Sequence, residues 1–155
     1  DRGLVTWGYQ VCPGYYAQEH EGIRAGASLL AHMNEAAPGL PERERRRLLG
    51  MFGLSGDKVH QDASTLSGGE KTKMALSLLV AGRHNLLLLD EPTNNLDPPS
   101  REAVAAALAS WAGTMVIVSH DAGFVRDLAP DRALLMPDGE VDHWSDDMLD
   151  LVELA

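Results

Sequence analysis

The sequence is short of positive charge, and of lysine above all. Among its 155 residues there are only three lysines, Lys58, Lys71 and Lys73, and none follows a glycine. That excludes a phosphate loop of the form G-x-x-x-x-G-K-[ST], in which backbone N–H groups wrap a polyphosphate and a lysine reaches over it. The nearest approach, "GGEKT" at 68–72, has Glu70 where the last glycine belongs. With 13 Lys+Arg against 23 Asp+Glu the net charge is −10, so direct nucleic-acid binding is not expected of this segment alone. A single cysteine, Cys12, excludes an internal disulfide and fits a reducing compartment. No run of charged then apolar residues marks a secretory leader. The longest apolar stretch, Ala103 to Val118, is broken by Ser110, Gly113 and Thr114 and falls short of the roughly 20 residues that cross a bilayer. The six histidines show no metal-ligand spacing, and there is neither an internal repeat nor a low-complexity tract. These absences leave the expectation of a soluble, cytoplasmic segment.

What is present is the composition of a globular domain, 45% hydrophobic and long enough for a core. Residues 4–17, "LVTWGYQVCPGYYA", are rich in β-branched and aromatic residues around a Cys-Pro-Gly break, which predicts two short strands. Residues 21–61 read as helical: Ile23, Ala27, Leu30 and Ala31 recur at helical spacing, and "PERERRRLLGMFG" opens on proline and closes on glycine. From 66 onward the pattern alternates. Helices over 67–82, 99–111 and 121–128 each precede an apolar strand, at 86–89, 115–118 and 132–136. Continuously apolar strands such as "LLLL" and "MVIV" predict burial on both faces, as in a parallel sheet covered by helices. "PDGE" at 137–140 turns into "VDHW" as a hairpin, and an acidic helix follows from about 145.

The chemistry concentrates at the carboxyl ends of the strands, where open α/β sheets place their ligands. Asp90 and Glu91 follow the strand at 86–89 directly. Adjacent side chains there point different ways, so one carboxylate can hold Mg²⁺ while the next polarises an attacking water. His120 ends the strand in "MVIVSHD", within reach of the same edge and able to meet a terminal phosphate, although a single strand-end histidine is commonly a structural hydrogen-bonder. "TLSGGEK" at 65–71 contains a capping box, Ser67-x-x-Glu70. Two glycines in the first turn exceed what a cap requires, since each weakens a helix by about 1 kcal/mol relative to alanine. They fit a helix start whose N–H groups an anion must approach closely. Arg43, Arg45, Arg46 and Arg47 form the one basic cluster and read as a solvated helix face, as does the acidic tail Asp146, Asp147, Asp150 and Glu153.

"LSGGE", then "LLLLDEPTNNLD", then "VSHD" resemble an ATP-binding cassette (ABC) domain over nearly the whole chain. The resemblance implies an α/β, P-loop NTPase-type fold: a mostly parallel sheet flanked by helices, with an α-helical subdomain. It divides the chain into core strands and Q-loop (1–19), helical subdomain (20–65), α/β core (66–143) and C-terminal acidic helix (144–155). It makes Gln18 the Q-loop glutamine near Mg²⁺ and the attacking water, and Ser67, Gly68, Gly69 and Glu70 the signature motif. Asp90 becomes the Walker B aspartate, Glu91 the general base, Asp97 the D-loop aspartate and His120 the switch histidine. ATP and Mg²⁺ are implied, as is a second cassette. Two cassettes sandwich two ATP molecules, and each signature contacts the γ-phosphate held by the other.

"GYYAQEHE", "LSGGEKTKMALSLLV" and "DEPTNNLD" are most similar to the second cassette of ABC-F proteins, soluble twin-cassette ATPases of which many act on the ribosome as translation or antibiotic-resistance factors. That group commonly carries histidine at the position of Asn95. The large departure is the missing Walker A loop, with the adenine-stacking aromatic before it. In such ATPases its strand lies between those matching 115–118 and 132–136, so two unpaired strand edges are expected here. Intact downstream motifs favour truncation over decay. Two alternatives stay open: the ATPase subunit of a membrane transporter, docked on transmembrane domains, or a non-catalytic module that lends its signature to another cassette.

Overall fold

The computed structural model describes residues 3–16 and 22–154. Its centre is a parallel sheet of three strands in the order β1 (Pro13–Tyr16), β2 (Leu86–Asp90), β3 (Thr114–Val118). Register fixes the faces. Gly14 and Tyr16 align with Leu87 and Leu89, which align with Met115 and Ile117. That face packs against α3 (Gly68–Ala81), α4 (Pro98–Ala109) and α5 (Ala122–Leu128), in a core with Leu76, Val104, Leu108 and Phe124. Burying each such side chain stabilises by about 1.5–3 kcal/mol.

The opposite face departs from the expectation of burial on both sides. Tyr15, Val116 and Val118 stand on it in register and are 61%, 49% and 58% exposed. An apolar run of this kind predicts burial only if elements exist to cover both faces, and among the described residues the helices supply one layer. β3 ends its sheet. The next strand, β4 (Arg132–Leu135), joins instead an antiparallel hairpin with β5 (Glu140–His143). Gly139, at φ 74°, takes the left-handed position of that turn and its N–H closes onto Leu135. Among the described residues β3 and β4 thus lie in separate sheets.

Helices α1 (Leu29–Ala36) and α2 (Glu42–Met51) with a short 3₁₀ turn (Gly56–His60) occupy the region predicted helical, interrupted where Pro38 and Pro41 deny the backbone a donor. They form a second cluster of Leu29, Met33, Leu49, Leu54 and Val59 that also takes Met74 and Ala81 from α3. Of the two strands predicted in 4–17, only 13–16 forms. Leu4, Val5 and Tyr9 are exposed and no ladder claims them. The basic cluster on α2 is held by its own helix and its neighbours, with Arg46 on Glu42, Arg47 on Glu44 and Arg45 on Asn34. The chain closes on α6 (Leu149–Leu154), and no described helix is long and apolar enough to cross a membrane.

An open strand edge beside exposed valines is a template for association. The 155-residue chain should self-associate with rising concentration in sedimentation. Val116→Lys should shift it toward monomer with little loss of thermal stability, because the lysine falls on the exposed face. A wild-type chain that stays monomeric throughout would show that this face does not drive association.

Candidate active site

β2 delivers Asp90 and Glu91 to the carboxyl edge of the sheet, and they diverge as expected. Asp90 is in register with Leu86 and Leu88 on the open face, paired with Val118 of β3. Glu91 leaves the strand with φ at 48°, a left-handed backbone that a glutamate adopts only under constraint. The constraint is visible: its N–H donates to the carbonyl of Val118 at 2.9 Å, locking the turn onto the end of β3.

The Glu91 carboxylate is only 17% exposed, and its oxygens differ. Oε1 accepts from Nδ1 of His120 at 2.9 Å. Oε2 is buried with no protein partner, a costly state for a carboxylate oxygen unless a water or cation completes it. Glu91, by its hydrogen bond and then by its charge, raises the pKa of His120 above the usual imidazole value. The imidazolium and its ion pair therefore persist fully below the unfolded-state pKa and are lost as pH rises through the raised one. His120 itself is exposed, so this is a local preference and not a large contribution to stability. A cavity of about 240 Å³ opens beside Glu91, lined by Tyr16, Asn94 and Asn95. Gln18, expected at this edge, lies outside the described residues.

Asp97 caps α4, accepting from the N–H of Ser100 at 2.9 Å, and the Ser100 contacts lower its pKa. One turn on, Arg101 reaches Asp121 at 2.7 Å. Asp121 follows His120 and caps α5 through the Phe124 N–H. Burial pushes the Asp121 carboxyl up, but Arg101 and the helix N–H groups outweigh it and hold the pKa below the ordinary value. The D-loop helix and the histidine turn are thereby tied together. Sequence reasoning missed this link: the cap was legible in "HDAGF", the arginine partner was not.

The signature begins α3 as predicted. Ser67 Oγ accepts the Glu70 N–H at 3.3 Å, and Glu70 Oε2 accepts the Ser67 N–H at 2.9 Å. The glycines separate. A Cβ on Gly68 would meet open space. A Cβ on Gly69 would stand 2.9 Å from the backbone oxygen of Asn95, so this glycine seats the helix on its own D-loop. Asn95, at φ 66°, occupies a left-handed position that asparagine tolerates well. Glu70 also pairs with Lys58, a residue that no spacing signal singled out; Lys58 first and the Ser67 N–H second depress its pKa to about 2. No signature residue lines the cavity beside Glu91, so the structure brings Glu91 and His120 together and keeps the signature as a separate surface. Among the described residues no three His, Cys, Asp or Glu side chains converge into a protein-only metal cage.

The sequence profile described as "ABC transporter" matches residues 13–94. The chain is 40% identical to the ATP-binding protein YdiF of Bacillus subtilis over 95% of its length, and 43% identical to YheS of Haemophilus influenzae over 96%; it covers 23% of each. It is 39% identical to ATP-binding cassette sub-family F member 3 of Mus musculus over 73% of this chain and 16% of that one. The chain thus spans less than a quarter of the length of these curated relatives. Among solved structures it superposes on the ATP-binding cassette MJ0796, a post-hydrolysis dimer bound to ADP and Pi, with TM-score 0.68 over 86% of this chain and 63% of that one. It also superposes on the RNase-L Inhibitor with TM-score 0.69 over 84% and 26%. At 21% and 24% identity these two establish the fold, a P-loop NTPase-like α/β cassette. With the profile spanning more than half of its length and F-subfamily proteins among its relatives, the chain belongs to the ATP-binding cassette family.

Proposed function

We propose that this chain is the metal-, water- and signature-bearing part of an ABC-F-type cassette that hydrolyses ATP within a longer, cytoplasmic two-cassette protein. The observation that carries the reading is Glu91. Its backbone is held in a strained turn, one carboxylate oxygen is buried and unpartnered, and the other is held by His120. Strain and an unmet buried acceptor at a strand end mark a group positioned for a reacting water. Glu91 Oε2 polarises that water. His120 steadies the carboxylate in the resting site and keeps its second nitrogen for the terminal phosphate. Asp90, at the strand end, is the residue that would hold Mg²⁺. When bound, the ion neutralises charge developing on the transferred phosphoryl group.

Ser67 and the open Gly68 offer the start of α3 to a γ-phosphate held by the partner cassette, and the helical subdomain ahead of it, with α1 and α2, packs against that helix. The larger partner in this reading is the ribosome rather than transmembrane domains, in a translation or antibiotic-resistance role; the F-subfamily relatives support the ABC-F assignment on which it rests. The net charge of −10 makes this segment itself a poor direct contact for RNA.

In the complete protein, Glu91→Gln should retain ATP binding and lower turnover by about 10²–10⁴-fold. Near-normal single-turnover hydrolysis would remove Glu91 from its role. The two signature glycines should separate by experiment. Gly68→Asp, which sets a carboxylate in open space, should abolish hydrolysis while leaving the melting temperature almost unchanged, whereas Gly69→Ala should lower it by displacing the Asn95 backbone. Equal effects on stability would contradict this division. The 155 residues alone should show neither tight Mg·ATP binding in calorimetry nor turnover, because nothing among them cradles the β-phosphate. Micromolar affinity would show that the missing loop is not the determinant.

A further inference from the structure

A glutamate is a poor neighbour for an incoming phosphate, and the signature has one in its first turn. The aligned peptides of α3 place roughly half a positive charge at its start. The Glu70 carboxylate folds back over that same end, with Oε2 on the Ser67 N–H at 2.9 Å. Even at an ordinary glutamate pKa of about 4.3 this carboxylate is ionised near neutral pH. Alone, the helix start would therefore carry net negative charge, in a chain already at −10, and would repel a polyphosphate.

Lys58 changes that balance. It projects from the 3₁₀ turn Gly56–His60, a separate element, and its Nζ binds the second oxygen of Glu70, Oε1. Both oxygens are then occupied, one by the helix's own N–H and one by an ammonium, so the carboxylate is fixed as well as neutralised. The pair is partly shielded, at 36% and 23% exposure, while Ser67 and Gly68 beside it stay open. Lys73 is engaged elsewhere, reaching over to Ser100 on α4, and the cation on Glu70 Oε1 is Lys58.

We propose that Lys58 is a positioning residue for ATP hydrolysis: it cancels and pins the Glu70 carboxylate so that a signature containing glutamate can accept a terminal phosphate. The inference rests on Ser67 and Gly68 being the γ-phosphate contact. Its distinguishing feature is conditional need, because with a glutamine at position 70 there is no charge to cancel and Lys58 becomes dispensable.

The test is steady-state hydrolysis by the complete two-cassette protein across Mg·ATP concentrations, with Lys58→Met made in two backgrounds. With Glu70 present, the substitution should raise KM about fivefold and change kcat by less than about twofold, the pattern of a lost binding contribution. Lys58→Arg should restore KM. In the Glu70→Gln background, Lys58→Met should change KM by less than about twofold, the step being compared within that background. Equal cost in both backgrounds, whether from unfolding or from another contact, overturns the inference, as does no cost in either. Gly68→Asp in parallel separates the two readings. If it hydrolyses normally the signature is not the phosphate contact; if it is inactive while Lys58→Met costs nothing, only the role of Lys58 falls.

Discussion

Everything in this fold turns on α3, which is packed from two sides. Leu76 enters the core beneath the sheet with Leu87, Val104 and Leu108, while Met74 and Ala81 enter the helical cluster with Leu29, Met33 and Leu49. A helix apolar on more than one side cannot rest on a single neighbour and must be enclosed. Thr72 and Ser77, both buried, are satisfied within this enclosure, Thr72 by the Tyr16 hydroxyl and Ser77 by the Met74 carbonyl. Because both clusters grip the same helix, its start holds a fixed position, and the signature is displayed at that start.

The same logic sets the sheet edge that carries Glu91. Glu91 is not placed by its own side chain's preferences but by the end of β3, which takes its N–H, and by the turns across 91–96 that bring Asn95 beneath Gly69. Leu96 then plugs the core at the close of that loop. The sheet edge at Glu91, the 91–96 turns and the start of α3 are consequently one mechanical unit, joined by backbone contacts.

In a chain so acidic, the few cations matter by location. Lys58 sits on the signature glutamate, Lys73 bridges α3 to the start of α4, and Arg101 joins α4 to the cap of α5 beside His120. Each ties a motif-bearing element to another part of the fold. The arginines of α2, by contrast, are engaged locally and leave that helix a solvated face.

The order of elements, the capping box, the strand-end carboxylates and the family itself were determined by sequence, because each is a local pattern: a hydrophobic period, a spacing of three, a run of leucines followed by acids. The absence of a phosphate loop was equally local. Tertiary structure alone decided the rest. The lone strand at 13–16, the single covered face of the sheet, the different duties of Gly68 and Gly69, and the partners Lys58 for Glu70 and Arg101 for Asp121 all depend on what packs opposite. Sequence spacing records which residues share an element; it does not record which element will lie across from it, and burial, strain and charge pairing are set by that neighbour.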